Sequence, residues 1–413
     1  MRHTSLFKIL EIFLFIVVLS SCDLLKNENE PIPPDKYLVT YDKQRNLLPS
    51  IIKLGLESQV DDYPEIQPLI DKMEHSVYVY TITYNTTFEG NPIVASGLVA
   101  VPATSDIKFP VISFQNGTNT LHSKAPSVNL DDEIFLMLEV ISSTGFIISI
   151  PDYLGFGASD QMFHPYMHKE STIQAVTDML HAVKELINNH LYTEMSDDLY
   201  ITGYSQGGWA TMQLQKAIET QYSSEFNLKA SACAAGPYDL NYINNYVLGQ
   251  QTYPMPYFLG YVFNSYFNLG LITTPVSEVF NSPYDNVVTT YYDGLHSGEE
   301  INAALTTSVD RLFTEDYRNN ANTEAKYSSI VNSMNDNSIT AWNTTTPTRI
   351  IHGTDDEFVP QEVSLNIYHD FLNKGISTDQ IKYIPLAELG HTSGIIPAEL
   401  KAITWFLELK DEK

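Results

Sequence analysis

A serine near the middle of the chain lies in a sequence pattern that can make its hydroxyl group a nucleophile. Residues 200–208 read YITGYSQGG, which places Ser205 at the centre of the pattern G-x-S-x-G. In this pattern a strand turns sharply into a helix, and the glycines leave room for the crowded backbone around the serine. Because so short a pattern also arises by chance, an ordinary Gly-Ser-Gly turn is the alternative interpretation.

The residues on both sides of Ser205 fit a strand that leads into a helix. Residues 198–202 form a short, mostly apolar run that is typical of a buried parallel strand. After the serine, apolar side chains recur at a helical spacing. They are Trp209, Met212, Leu214, Ala217 and Ile218. This context favours a nucleophile at a strand-to-helix turn.

Two loops farther along the chain could supply the partners that a nucleophilic serine requires. Such a serine needs a histidine to accept its proton and a carboxylate to orient that histidine. The segment HGTDDEFVP contains Asp355 and Asp356, the segment LGHTSG contains His391, and a predicted strand precedes each. Loops at the carboxyl ends of parallel strands open on one edge of a sheet, so these residues could meet Ser205 there. Adjacent side chains point in different directions, so we expect only one of the two aspartates to face the histidine.

The order serine, aspartate, histidine and the motifs around these residues resemble the α/β-hydrolase superfamily. The superfamily pattern H-G-x-x-D-x-x-V-P places the acid three residues after the glycine, which identifies Asp356 as the acid. The motif PDYLGFG at residues 151–157, together with GYSQGG and a long insertion, most resembles the secretory lipase-like branch, over roughly residues 76–409. The resemblance implies a catalytic triad of Ser205, Asp356 and His391.

The same resemblance implies where the negative charge of a reaction intermediate would be bound. An oxyanion needs hydrogen-bond donors that are fixed in advance, usually the backbone N–H after the nucleophile and one from a loop after an earlier strand. The residue after the serine is Gln206. Residues 115–118 (QNGT) resemble a Tyr-Gln-His-Gly-Thr loop with asparagine in place of histidine, which implicates Asn116 and Gly117.

The elements that would hold these loops alternate between strand and helix. A hairpin over residues 77–84 and 93–101 is expected to open the core. The strands predicted after it are residues 109–114, 146–150, 198–202, 228–235, 348–351 and 381–385, and the predicted helices are residues 131–143, 171–191 and 397–409. This order predicts an α/β fold with a mostly parallel central sheet flanked by helices, the architecture of the α/β-hydrolase fold.

Residues 240–345 interrupt the alternation with a segment rich in Tyr, Phe, Asn and Thr that is too long for a plain loop. We expect a helical cap insertion there, within a core formed by residues 76–239 and 346–413. The residues predicted to line a substrate pocket are Tyr204, Tyr257 and Phe258. The alternative is that most aromatic side chains of the cap form the core of the cap itself.

The N-terminal segment predicts export and a lipid anchor. Residues 1–21 carry basic residues and then an apolar run, as in a secretory signal peptide, which is too short to span a membrane as a helix. The sequence LSSC resembles a bacterial lipobox, which implies acylation at Cys22; an ordinary signal peptide is the alternative. Residues 22–36 are expected to form a polar, Pro-containing tether, and residues 37–75 a helical extension outside the main sheet.

Composition argues against several other kinds of partner and site. The formal net charge of −27 would repel nucleic acid. The chain has two cysteines, too few for a disulfide framework, and Cys233 lies in an apolar run typical of a buried thiol. His164 and His168 lack companion ligands at a useful spacing, so solvated loop histidines are expected instead of a metal site. We therefore expect no metal, cofactor, nucleic acid or protein partner.

Together these residues predict a serine esterase or lipase that cleaves carboxylic esters through an acyl-enzyme on Ser205, with His391 as base and Asp356 as orienting acid. The substrate would be a small-molecule or lipid ester. The anchor at Cys22 would hold the protein to a membrane of the bacterial cell envelope, on the periplasmic side or at the cell surface. Two alternatives stay open: a serine peptidase of the same fold, and a lipid-anchored binding protein without catalysis.

Overall fold

A nine-stranded sheet forms the centre of the part of the chain that the structure describes. The structure is a computed structural model, and it describes residues 34–57, 60, 64–105 and 107–412. The strands are β1 (Leu38–Leu47), β2 (Val77–Phe88), β3 (Asn91–Pro102), β4 (Lys108–Gln115), β5 (Ile147–Pro151), β6 (Glu194–Tyr204), β7 (Asn227–Ala234), β8 (Thr348–Gly353) and β9 (Ile381–Leu386).

The order of the strands confirms the predicted α/β architecture. They lie in the order β1-β2-β3-β5-β4-β6-β7-β8-β9. The pairs β1–β2, β2–β3 and β3–β5 are antiparallel, and every later pair in this order is parallel. The predicted hairpin is β2–β3, and the carboxyl ends of the parallel strands share one edge.

Helices cover both faces of this sheet. They are α1 (Pro49–Glu57), α2 (Gln67–Asp71), α3 (Glu133–Ile141), α4 (Lys169–Glu185), α5 (Gln206–Gln221), α6 (Leu240–Leu248), α7 (Pro256–Asn268), α8 (Val276–Val279), α9 (Tyr284–Thr290), α10 (Gly298–Ala304), α11 (Val309–Leu312), α12 (Glu315–Asn320), α13 (Ser328–Asn337), α14 (Gln361–Asn373) and α15 (Ile395–Asp411). Helices α4, α5 and α14 pack on one face, and α3 and α15 pack on the other. On β6, Leu199 and Ile201 join the first hydrophobic layer while Tyr200 joins the second, which is why this strand is apolar on both sides.

The prediction of a helical extension over residues 37–75 is wrong for its first part. Leu38–Leu47 forms β1, which pairs with β2 in register from Leu38 opposite Tyr84 to Leu47 opposite Val77. The strand lies at the edge of the sheet, and most side chains on both of its faces are exposed. Its sequence is therefore polar and lacks the apolar alternation that marks a half-buried strand. Helices α1 and α2 follow it, as the apolar patches of this segment indicated.

Helices α6–α13, which we call the cap, lie between β7 and β8 in the segment predicted as an insertion. The interior of the cap is aromatic. The ring of Phe263 meets those of Phe280 and Tyr317 edge to face, with centroids 5.1 and 6.0 Å apart. Much of the aromatic content of the cap thus forms its own core, as the alternative interpretation held. The domain boundaries themselves stay a prediction.

The predicted signal peptide, Cys22 and most of the predicted tether lie outside the described residues. Within the described ranges, every helix is too short or too polar to cross a lipid bilayer.

Candidate active site

Ser205 occupies the turn between β6 and α5. Its backbone has φ 60° and ψ −120°, in the left-handed half of conformational space that residues with a side chain rarely adopt. The Ser205 N–H donates to the carbonyl oxygen of Ala234 at the end of β7, at 2.9 Å. This bond fixes the turn against the neighbouring strand.

The glycines around Ser205 are required by the strands on either side of β6. A methyl group added to Gly203 or Gly207 would overlap the carbonyl oxygen of Gln115 at the end of β4. A methyl group on Gly208 would overlap the carbonyl oxygen of Ala234 on the other side. The turn can therefore lie between β4 and β7 only if these positions lack a Cβ atom.

The structure brings Ser205, His391 and Asp356 together at the carboxyl edge of the sheet. His391 Nδ1 lies 2.7 Å from Asp356 Oδ2, and His391 Nε2 lies 2.9 Å from Ser205 Oγ. The Asp356 carboxylate can only accept, so Nδ1 carries the ring proton and Nε2 accepts from the serine hydroxyl. The side chains of His391 and Asp356 are 6% and 0% exposed. The three groups thus form a chain that could move a proton from the serine to the histidine.

The Asp356 carboxylate is buried but fully surrounded by donors. Its Oδ1 atom accepts from the backbone N–H groups of Phe358 and Val359, at 2.9 and 2.8 Å. Nε2 of His352 lies 3.2 Å from Oδ2, the same oxygen that His391 contacts. Burial raises the pKa of Asp356, but the hydrogen bonds and charges of the two histidines outweigh burial and hold the pKa well below its usual range. The carboxylate is therefore ionised at neutral pH.

The two acidic residues that flank Asp356 do not contact the His391 ring in its place. Asp355 is exposed, and its carboxylate accepts from the Thr354 hydroxyl at 3.2 Å. Glu357 accepts the backbone N–H of His391 at 3.1 Å, so it holds the histidine loop from outside the triad. The sequence contained no signal for this contact, because it depends on how the loops after β8 and β9 meet.

A cavity extends from Ser205 between the cap and the edge of the sheet. Its empty space, with the open mouth included, is about 490 Å³. Its lining is mostly apolar and comes from both the cap and the core. Among the lining residues are Leu240, Ile243, Phe258, Leu259, Val262 and Met334. A cavity of this kind suits an apolar chain attached to a group held at the serine.

Of the three predicted pocket residues, Phe258 lines this cavity, and the structure places the other two elsewhere. The Tyr204 hydroxyl donates to the carbonyl oxygen of His391 at 2.6 Å, so Tyr204 supports the histidine loop from behind. The Tyr257 ring lies against Gly298 at the start of α10, within the cap. Neighbouring residues on a strand or a helix point in different directions, so Tyr204 and Tyr257 do not line the cavity that Ser205 and Phe258 line.

The predicted oxyanion donors lie on two segments that meet beside Ser205. Gln206 is the first residue of α5, where a backbone N–H has no acceptor within the helix. Asn116 and Gly117 follow Gln115, whose carbonyl oxygen lies against the glycines of the turn. The Asn116 carbonyl oxygen accepts from the Tyr153 hydroxyl at 3.3 Å, so this loop is itself anchored. The roles of these donors stay a prediction.

His164 is not the solvated loop histidine that the sequence suggested. It is 6% exposed, and its Nε2 atom lies 3.0 Å from the side-chain Nε2 of Gln206. His168 instead lies 3.0 Å from the Ser171 hydroxyl at the start of α4. The described residues contain no group of three or more potential ligands that could hold a metal ion. Cys233 is buried and unpaired with another cysteine, as predicted.

Solved structures with this fold cover most of the chain. A protein named as a hydrolase from Legionella pneumophila is 25% identical, with a TM-score of 0.79 over 91% of this chain and 98% of that one. A variant of the rice cell wall degrading esterase LipA from Xanthomonas oryzae is 23% identical, with a TM-score of 0.76 over 92% and 98%. Candida antarctica lipase A is 16% identical, with a TM-score of 0.61 over 89% and 81%. The fold is that of the α/β-hydrolases.

A family comparison covers the segment that carries the site. The family model described as secretory lipase matches residues 120–411, which contain Ser205, Asp356 and His391. A search among curated proteins finds no match. The family and the fold support the hydrolysis of carboxylic esters by an exported protein. Because the family match spans well over half of its length, the chain belongs to the secretory lipase family.

Proposed function

We propose that this protein is a serine esterase or lipase in which Ser205 is the nucleophile, His391 the general base and Asp356 the acid that orients the base. The observation that carries the proposal is the continuous chain of contacts, 2.9 Å from Ser205 Oγ to His391 Nε2 and 2.7 Å from His391 Nδ1 to Asp356. The strained backbone at Ser205 adds support, since residues in strained backbone conformations are concentrated at active sites.

The proposed reaction has two acyl-transfer steps. Ser205 Oγ attacks the ester carbonyl carbon while its proton passes to His391 Nε2, and the carbonyl oxygen becomes an oxyanion. The intermediate then breaks the bond to the leaving alcohol oxygen, which takes the proton from His391. A water molecule repeats the sequence on the acyl-enzyme: it gives a proton to His391 and bonds to the acyl carbon. The bond between that carbon and Ser205 Oγ then breaks, Oγ takes the proton back from His391, and the carboxylic acid leaves as product.

The electrostatics of the site fit this sequence. The ionised Asp356 stabilises the imidazolium that forms when His391 takes the proton, and it holds the ring in the tautomer that accepts from Ser205. The backbone N–H of Gln206 and one from Asn116 or Gly117 would bind the oxyanion. These donors are fixed before the reaction, so they would need little reorganisation as the negative charge develops.

The cavity favours an ester with an apolar acyl chain over a peptide with a charged amino terminus. None of the described residues that line the cavity carries a charge. An ammonium group would lose its hydration there without gaining a carboxylate partner, which is costly. A hydrocarbon chain would instead be removed from water by the side chains of α6, α7 and α13.

We further propose that the protein is exported and held to a membrane by acylation of Cys22. The support is the N-terminal sequence, with its basic residues, apolar run and the lipobox-like LSSC. Several acyl chains on one cysteine would anchor the protein firmly. The enzyme would then act at the bacterial cell envelope.

The first prediction concerns the triad. Ser205→Ala should lower kcat/KM for a p-nitrophenyl ester by at least ~10³-fold, because no other group replaces the attacking oxygen. Asp356→Asn should lower it by roughly 10³-fold or more, since the amide would leave His391 in the wrong tautomer. The matched control is Asp355→Asn, which removes a neighbouring exposed carboxylate and should change kcat/KM less than about threefold. Steady-state kinetics on variants with unchanged circular dichroism would measure this, and equal losses in the two aspartate variants would contradict the assignment.

The second prediction concerns the length of the acyl chain. Each methylene that enters the cavity should add up to about 0.8 kcal/mol of binding, or about fourfold in kcat/KM, until the cavity is filled. We expect kcat/KM to rise from acetyl to medium-chain p-nitrophenyl esters and then to level off. Val262→Phe, which narrows the cavity, should lower the ratio of hexanoyl to acetyl activity. This ratio does not depend on the folded fraction of the variant. A wild-type preference for acetyl esters, or for aminoacyl anilides, would refute the apolar acyl pocket.

The third prediction concerns Cys22. The mature wild-type protein should begin at this residue, carry the mass of its acyl chains and partition into the detergent phase of a Triton X-114 extract. Cys22→Ala should stay unprocessed or become soluble, whereas the neighbouring control Ser21→Ala should behave like the wild type. A mature protein with an unmodified Cys22, or with its N-terminus elsewhere, would rule out the anchor.

A further inference from the structure

The side chain of Gln206 is held by a buried histidine that the proposed reaction does not use. Gln206 is 1% exposed, and its Nε2 atom lies 3.0 Å from Nε2 of His164. Nδ1 of the same histidine lies 2.7 Å from the carbonyl oxygen of Leu154. A carbonyl oxygen can only accept, so Nδ1 carries the ring proton and Nε2 accepts from the Gln206 amide.

The surroundings of His164 keep its ring neutral and in one orientation. Burial lowers its pKa to about 4, against the smaller opposite effect of the hydrogen bond to Leu154. Four aromatic rings surround the imidazole: that of Tyr166 in the same loop, with its centroid 5.9 Å away, and three others with centroids 5.9, 4.9 and 5.7 Å away. The three others belong, in this order, to Tyr153, Phe156 and, from cap helix α7, Tyr261. The acceptor that faces Gln206 is therefore fixed in position as well as in protonation.

The contact with His164 also fixes which way the Gln206 amide points. Its Oε1 atom is buried without a hydrogen-bond partner, so the Nε2 contact is the side-chain anchor that the structure provides. A flipped amide would set Oε1 against the unprotonated ring nitrogen, so that two acceptors would face each other. Because Gln206 directly follows Ser205, the anchored side chain restrains the backbone N–H beside the reacting carbonyl.

The loop that carries His164 also contacts the second donor segment. The Tyr153 hydroxyl donates to the Asn116 carbonyl oxygen at 3.3 Å, and the hydroxyl groups of Tyr166 and Thr118 are 2.8 Å apart. Tyr166 in turn stacks on Tyr261 of the cap, with ring centroids 4.4 Å apart. The loop after β5 thus touches both segments that carry the candidate donors.

We propose that His164 is a positioning residue for the oxyanion hole: by accepting from the side chain of Gln206, it holds the Gln206 backbone N–H where the oxyanion forms. His164 does not contact the substrate. The inference rests on the proposed function and adds a residue to it. Loss of the anchor should weaken binding of the transition state far more than binding of the substrate.

A double-mutant cycle tests this role. His164→Phe keeps an aromatic ring among its neighbours but removes the acceptor, and Gln206→Met removes the side-chain amide but keeps the backbone N–H. Each should lower kcat for a hexanoyl ester by roughly 10- to 100-fold, with KM changed less than about threefold. The kcat of the double variant should be no lower than that of the more impaired single variant, because both changes break the same contact. The inhibition constant of an alkyl trifluoromethyl ketone, which forms an oxyanion on the serine, should rise by the same factor as kcat falls.

The matched control is Gln215→Met, on the same helix. Gln215 is buried, and its Nε2 atom donates to the hydroxyls of Thr344 and Thr348, away from Ser205. This variant should lose stability but keep kcat and the inhibition constant within about threefold. Additive losses in the cycle, losses in KM alone, or an equal loss of kcat in Gln215→Met would overturn the positioning role. If the wild-type protein neither hydrolyses esters nor binds the ketone, the proposed function fails first, and the positioning role fails with it.

Discussion

The close approach of three strand ends to one turn is the constraint on which the site depends. The carbonyl oxygen of Gln115 lies against Gly203 and Gly207, and that of Ala234 lies against Gly208. With strands on both sides, the chain can pass from β6 into α5 only through a tight turn, which sets Ser205 at φ 60°. The sheet therefore supplies the strain at the serine, and the packing of its strands holds that strain in place.

A second feature organises the rest of the site around one buried charge. The Asp356 carboxylate has the ring nitrogens of His391 and His352 on one oxygen and two backbone N–H groups on the other. His352 is itself held at its Nδ1 atom by the Ser364 hydroxyl at 2.6 Å. A buried carboxylate with this many donors stays ionised without a nearby lysine or arginine. The position of His391 thus follows from the loops after β8 and β9 rather than from flexible surface contacts.

The sequence predicted those parts of the structure that depend on local pattern. Short sequence patterns mark the turn at Ser205, the order of the later strands, and the loops of Asp356 and His391. These patterns can be recognised without knowledge of the fold. The missed features depend on contacts between distant segments. β1 lacks an apolar pattern because most side chains on both of its faces are exposed. The contact of His164 with Gln206 arises where the loop after β5 meets the turn. The orientation of Tyr204 likewise depends on which face of β6 its side chain occupies and on the contact of its hydroxyl with the histidine loop.

The identity of the nucleophile is the central claim, and a covalent probe tests it most directly. The folded protein would be treated with an alkyl fluorophosphonate, and the adduct counted by intact mass and located by peptide mapping while ester hydrolysis is followed in parallel. The account predicts one adduct per chain, on Ser205, with activity lost in proportion to labelling. An adduct on another residue, or full ester hydrolysis by protein labelled at Ser205, would contradict it.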